Sequence, residues 1–468
     1  MKLLYTLNEL PSTSITFFLA LQHMLASISG IVAVPLIVGS SIGLPAQDIV
    51  GLINAALFVS GVVTIVQCIG FGPVGIRLPV VMGSSFAFIG IAIAFGKQGG
   101  MATILGASLV SSFVVVFASF FMDRVRKLFP PLVSGVVVTL IGLTILPVAF
   151  HWIGGAPAGS EQFASLPKLF LALSSLAIVI VVSVFCRGAI AASAIVIGLI
   201  GGYALALLMG SVDLSQLTSA SWLSGPEPFK YGFSFSPGAI ISMSLVYIVV
   251  IAEATGDFMA LGENCHKSVS GKDLQKGLLA DGLGSTFAAC MTAMPLASFS
   301  QNVGIVGITG VASRYVVAVT GGLLILGGSF PKLAALAVTI PKPVLGGVGI
   351  VMFGMIAYTG VRMLIKAADT KRNALIVCVG LGLGLAVTFE PALLQHLPHE
   401  LANFFHSGIT TGTVATVLLN QWLPKSATKE TLDAFTESAS QLQKECERYQ
   451  GVQHSNNAKN KREDASHD

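Results

Sequence analysis

Glu253 and Asp257 stand four residues apart in Ile248-Val-Val-Ile-Ala-Glu-Ala-Thr-Gly-Asp-Phe, an otherwise strongly apolar run. In a helix that spacing puts both carboxyl groups on one face. Ionisable groups among such neighbours are expensive unless they bind something or carry a proton. A third acid, Asp281, interrupts Leu-Leu-Ala-Asp-Gly-Leu-Gly, and Gln22-His23 interrupts an earlier apolar run. Carboxyl and imidazole groups in these surroundings suit a proton taken up at one side and released at the other.

The stretch from Ser298 to Arg314 is polar and broken by Gly304, Gly307 and Gly310. A carboxamide pair such as Gln301 and Asn302 is costly in hydrocarbon unless its hydrogen bonds are accepted, and the glycines argue against one regular spanning helix. Irregular backbone at membrane depth persists where it is buried in protein or lines a cavity, which is how interrupted helices of secondary carriers form binding sites. Gln301 both donates and accepts, which suits it to one planar ligand edge.

Several of these residues also have structural uses. Asp257 is equally suited to tethering a neighbouring helix, and Asp281, followed by Gly282, to anchoring a helix end. His23 can serve as a satisfied interhelical donor, and Asn302 can brace the broken backbone. The hydroxyls of Ser84 and Ser85 are readily satisfied by the preceding turn. Arg314 is read as an edge anchor that sets topology.

The elements that must hold these groups are membrane helices. The chain has 468 residues, 54% hydrophobic and 10% charged, with a mean hydropathy of +0.83, which excludes a water-soluble globule over most of its length. At ~20 apolar residues per span we read fourteen segments: 15–38, 49–70, 78–95, 101–122, 132–151, 168–185, 189–209, 237–262, 274–293, 295–309, 311–329, 343–365, 373–389 and 400–423. Segment 295–309 is too short and too rich in glycine to cross as one helix. The first residues lack a basic stretch and a small-residue cleavage site, so no cleaved signal is expected. The six cysteines show no metal or disulfide spacing.

With residues 1–14 cytoplasmic, only Lys97, Lys168, Lys230, Lys332 and Lys342 of the 26 basic residues fall in outer loops. This asymmetry predicts both termini inside. The net charge of +4 is then a topology signal and not an argument for nucleic acid. Fourteen spans divide into seven and seven, about 15–209 and 237–423, and an odd number per half makes them inverted repeats. The interrupted stretches Met82-Gly-Ser-Ser-Phe86 and Ser300-Gln-Asn-Val-Gly304 occupy matching places in the third and tenth segments. Residues 15–424 form the membrane domain. Residues 425–468 turn polar and read as a cytosolic, partly disordered tail.

No Walker loop, metal-ligand cluster or nucleophile–base pairing is present, so the reading is not an enzyme and needs no cofactor. The residues leave open an ion-gradient-coupled carrier, a passive pore, or an anion exchanger, for which a basic group at the broken segments is expected. A non-transporting sensor is a further reading, although the tail carries no recognisable effector domain.

Gln301-Asn-Val-Gly-Ile-Val-Gly-Ile-Thr-Gly310 resembles the signature of the nucleobase/ascorbate transporter family, which begins Gln, Glu or Pro-Asn-x-Gly. The likeness covers about residues 10–424 and includes Gln22-His23, Glu253-Ala-Thr-Gly-Asp257, Ala280-Asp-Gly282 and Val344-Leu-Gly-Gly-Val-Gly-Ile-Val-Met-Phe-Gly. It implies an all-α polytopic fold of fourteen spans with core and gate domains and short strands in segments three and ten. It also implies a homodimer in a bacterial inner membrane and proton-coupled uptake. In that family the residues matching Glu253 and Gln301 hold the base, those matching Asp281 and His23 support the site, and that matching Asn302 is tied to transport. Ser85 stands where purine carriers often have Thr or Asn, and Phe86 is placed to stack on a ring. Gln at the first signature position is similar to purine carriers of the xanthine and uric acid type, whereas the uracil branch has Glu there. Gly310 fits the xanthine-like ending, while Ile76-Arg-Leu-Pro-Val80 and Leu261-Gly-Glu263 resemble urate-like members, so both purines are expected. Thr292-Ala-Met-Pro295 departs from the usual Asn-Ser-Phe-Pro, a change expected to alter the cavity wall.

Overall fold

A computed structural model describes residues 3–424 apart from 122–129, 157–158, 187–188, 214–216, 219–220, 366, 368–369, 398–404 and 406, and apart from the side chains of Ala189, Ala192, Gln301 and Ile308. The chain is mostly helical. The polar tail of 425–468 lies outside the described residues.

The chain opens with α1 (Thr13–Ser41) and α2 (Ala46–Ile69), followed by the three-residue strand β1 (Met82–Ser84). Helix α3 (Ile89–Ser119) is broken at Gly100, whose φ of 68° a side chain would resist. The Gly99-Gly100 pair therefore divides it close to where segments 78–95 and 101–122 part. Next come α4 (Pro131–Gly154), α5 (Leu166–Phe185), α6 (Ala194–Leu208), α7 (Pro237–Asn264) and α8 (Gly271–Cys290). Helix α8 starts with a capping box, in which the Ser270 hydroxyl accepts from the Asp273 N–H and the Asp273 carboxylate accepts from the Ser270 N–H.

Strand β2 (Leu296–Ser298) leads into the short α9 (Ser300–Thr309), followed by α10 (Arg314–Gly328), α11 (Pro331–Val338), α12 (Lys342–Ile365), α13 (Lys371–Phe389) and α14 (Gly408–Trp422). Strands β1 and β2 pair antiparallel in the register Met82 to Ser298, Gly83 to Ala297 and Ser84 to Leu296. Among the described residues eight helices are long and apolar enough to cross a membrane. Helices α10 and α11 form a pair bent by 79°, at the Gly327-Gly-Ser-Phe-Pro331 sequence that cannot continue a helix.

Packing sorts the helices into two groups. In one, α2 lies against α10, α3 against α7 and α8, and α1 against α2 and α10, with the strand pair in the middle. In the other, α12 lies against α4 and α5, and α13 against α14 and α4. Close approach in the first group depends on small residues: a methyl group on Gly321 would lie 2.6 Å from the Gly61 carbonyl oxygen. In a membrane, where lipid is as apolar as leucine, such backbone approach is a main source of helix association. Inside the first group Phe88 packs on Tyr247 with ring centroids 4.6 Å apart.

Candidate functional site

The chain is irregular where β1 and β2 meet. Each strand hands over to a helix start, at Phe86 after β1 and at Ser300 after β2. The crossing is fixed by Ser85 N–H donating to the Pro295 carbonyl (2.8 Å) and Phe299 N–H donating to the Val81 carbonyl (2.9 Å). The Phe299 ring lies over Gly83 and Gly30, where a methyl group on Gly30 would come within 2.9 Å of it. These glycines are the space the ring occupies.

A cavity of about 570 Å³ opens beside this crossing, between the two helix groups. Gln22 of α1, Glu253 of α7, Ser85, Phe86, Ser298, Phe299, Ser300 and Thr309 line one wall. Val138 and Ile141 of α4 and Val351, Met355, Thr359 and Arg362 of α12 line the other. Both helix starts border it, and the unpaired N–H groups and positive dipole end of a helix start favour carbonyl oxygens and anions. Glu253 supplies the opposite character on the same wall. The cavity can therefore hold a ligand with both N–H donors and carbonyl acceptors. Phe86 adds an aromatic surface braced edge-on by Phe353, with centroids 6.0 Å apart at 72°.

The other polar residues form a frame behind the wall. Asp257 accepts hydrogen bonds from Ser298 Oγ (2.7 Å) and Ser300 Oγ (2.8 Å), so α7 holds the β2–α9 junction on both sides of Phe299. Asn302 Nδ2 lies 3.1 Å from His23 Nδ1 and donates to the His23 carbonyl at 3.2 Å, tying α9 to α1. Asp281 is buried away from the cavity lining, and Gln67 Nε2 donates to it at 2.6 Å. Gln67 Oε1 in turn accepts the Ile76 N–H at 3.1 Å, so α2, the turn before β1 and α8 are joined through one side chain. Gln301 occupies the second position of α9, and its carboxamide lies outside the described residues.

The structure thus brings Glu253, Gln22, Ser85 and Phe86 onto the cavity and puts His23, Asn302 and Asp257 directly behind it. Sequence reasoning missed Gln67, Ser298 and Ser300 as partners of the acids, and Arg362 as a cavity residue. Gln67 had a usable signal, a carboxamide in an apolar span. The serines had none, because a hydroxyl beside a helix start is ordinarily self-satisfied. Arg314 is an anchor, as its position at the end of a segment suggests: it donates to the Cys68 (3.1 Å) and Ile69 (3.3 Å) carbonyls at the end of α2 and to Asn8 Oδ1 (2.9 Å). Thr292 is not on this cavity wall, contrary to the expectation from the Thr-Ala-Met-Pro stretch. It sits in the turn before β2 and bonds to the loop around Lys230.

A family model described as the permease family matches residues 14–393. The chain belongs to this family. The permease is 39% identical over 408 residues to the uric acid transporter UacT of Escherichia coli K12, covering 86% of this chain and 84% of that one. It is 39% identical over 407 residues to the xanthine permease of Bacillus subtilis 168, covering 86% and 93%. The fold of the permease is similar to that of the transmembrane domain of a cyanobacterial bicarbonate transporter, BicA, with a TM-score of 0.56 at 12% identity, covering 88% of this chain and 98% of that one. The family and the apolar helices together make the permease a multi-pass membrane protein and not an enzyme.

Proposed function

We propose that this permease takes up the oxopurines xanthine, uric acid, or both, together with protons, across a bacterial inner membrane. The observation that carries the reading is Glu253 on a cavity whose same wall holds two helix starts and an aromatic ring. Relatives at 39% identity bear the names of a uric acid transporter and a xanthine permease, which supports the substrate class. In this reading Glu253 accepts ring N–H groups and Gln301 meets the adjacent amide edge. Ser85 and the helix starts meet carbonyls, and the ring stacks near Phe86. A site of this kind rejects analogues lacking those edges, because its own polar groups would be left unpaired.

A proton carried in with the base moves one positive charge inward, a gain of ~2.3 kcal/mol per 100 mV, or roughly 40-fold accumulation from voltage alone. Gln22, His23, Asp257, Asp281 and Asn302 support the site and the proton. The helix group containing the strands is read as a core and the α4–α5–α6–α12–α13–α14 group as a gate. The cavity between them alternates in access as one moves against the other. Fourteen spans as inverted halves, cytoplasmic termini and a homodimer complete the proposal, with the membrane domain at 15–424 and a cytosolic tail at 425–468.

A second reading, an anion carrier, is favoured by Arg362 on the cavity wall and by the likeness to the bicarbonate transporter's fold. Uptake of labelled xanthine and urate in cells lacking their own carriers, with a nucleobase competition panel and a protonophore, separates the two. Purine-specific competition and collapse of accumulation with the protonophore support symport. Uptake that is indifferent to the protonophore and competed only by inorganic anions supports the second reading.

A further inference from the structure

The cavity wall opposite Glu253 includes α12, and the packing of α12 decides which of its residues face that space. Gly360 lies against the Thr139 backbone and Ala357 against Gly142, with no room for a methyl group on either glycine. A methyl group on Gly135 would lie 2.7 Å from Leu364 Cδ2. Ala357, Gly360 and Leu364 therefore form the face held on α4. At 3.6 residues per turn the opposite face of α12 carries Met355, Tyr358, Thr359 and Arg362. All four line the cavity. The stripe runs from apolar to polar and ends on a guanidinium.

Arg362 stands near the level of the acid. Met363 Cε lies 3.3 Å from where a methyl group on Gly256 would sit, and Gly256 is three residues, ~4.5 Å, beyond Glu253 along α7. That end of α7 leads to the basic residues Lys267, Lys272 and Lys276, on the side the proposed topology makes cytoplasmic. Arg362 is exposed, and it forms no ion pair or hydrogen bond among the described residues. Its donors are open to a ligand passing through the mouth of the cavity.

Glu253 and Arg362 are the only acid and the only basic side chain on the cavity lining among the described residues. The two oxopurines of the proposed function differ in charge. At neutral pH uric acid is mainly a monoanion, with its charge shared by ring nitrogens and carbonyl oxygens, while xanthine is mainly neutral. An ionised carboxylate beside the base disfavours the anion, and a guanidinium on the facing wall offsets that. Its planar fork also matches a delocalised anion better than a point charge does. Carried with one proton, neutral xanthine moves a positive charge inward and the urate anion moves none.

We infer that Arg362 is a specificity-determining residue, which favours the urate monoanion over neutral xanthine from the mouth of the Glu253 cavity. The ligand class rests on the proposed function; the residue's place rests on the packing of α12. The test is equilibrium binding of radiolabelled xanthine and urate at pH 7 to the purified full-length protein in lipid nanodiscs. Arg362→Gln should lower the ratio of urate to xanthine affinity roughly tenfold, less than a fully buried charge-assisted hydrogen bond would give because the group is exposed. Arg362→Lys, which keeps the charge and loses the fork, should lower it no more than about threefold. In the unaltered protein, raising salt from about 0.01 to about 1 M shortens the Debye length from about 30 to about 3 Å and should lower the same ratio. This last arm needs no variant to fold. A ratio unchanged by Arg362→Gln, as expected of a simple membrane-edge anchor, would overturn the inference. So would a loss in Arg362→Lys as large as in Arg362→Gln, or a ratio indifferent to salt. If the unaltered protein bound neither purine, the proposed function itself would fall; binding of both with a ratio independent of Arg362 would spare that function and remove only this role.

Discussion

Asp257 is where the fold and the site are most tightly joined, and its removal has a calculable effect. Asp257→Ala strips the acceptor from two serine hydroxyls, 2.7 and 2.8 Å away, that flank Phe299 at the β2–α9 junction. Both serines line the cavity, but Ser298 is buried and reaches water less readily than the half-buried Ser300. One largely orphaned hydroxyl and one rehydrated hydroxyl should cost about 2 kcal/mol of the binding-competent arrangement. At 1.4 kcal/mol per tenfold that is roughly a 30-fold rise in the Kd for purine. Asp257→Asn keeps one acceptor oxygen, and its rise should be about fivefold. The assay is equilibrium binding of labelled xanthine alongside uptake KM. Adding Ser298→Ala to Asp257→Ala should restore part of the loss, because the orphaned hydroxyl is gone and the pair is coupled. Binding by Asp257→Ala within twofold of the native protein, or a double variant worse than the single, would refute the tether.

Gly83→Ala should abolish most uptake, since a methyl group there meets the Phe299 ring and overpacking of this kind costs about 1–3 kcal/mol. Phe299→Ala in the same chain should recover folded protein on gel filtration, and Gly30→Ala, whose clash at 2.9 Å is milder, should be less harmful. Arg314→Ala removes the charged donors to the last carbonyls of α2, so thermal unfolding in detergent should show a loss of about 2–3 kcal/mol. Purine Kd should not change, because Arg314 is absent from the cavity wall.

The membrane class, the polar break and the candidate acids were all readable from residue type and spacing, because an acid or amide in an apolar run is costly enough to be informative alone. Glu253 and Asp257, though on one helical face, do different things: Glu253 borders the cavity and Asp257 grips the Ser298 and Ser300 hydroxyls. Four-residue spacing fixes a face, but the partner on that face is set by which chain segment packs there, over 40 residues away in sequence. Asp281 illustrates the same limit. Its bond to Gln67 spans 214 positions, and no local pattern reveals such a pairing. Gly30 reads as an ordinary glycine in an apolar stretch, and Gly83 only as part of the interrupted Met82-Gly-Ser-Ser-Phe86 stretch, until the Phe299 ring is seen against both. The break at Gly100 falls at the boundary read between segments 78–95 and 101–122, where positive φ is a local property of the chain.

The central claim is that Glu253 couples base and proton in the cavity between the two helix groups. Reconstituting the Glu253→Gln protein in liposomes under an imposed inward proton gradient, and following labelled xanthine and urate against time, tests it most directly. With Glu253→Gln, internal purine should never exceed the external concentration, while the native protein concentrates it. Gradient-driven accumulation by Glu253→Gln at the native level would rule out this role for Glu253.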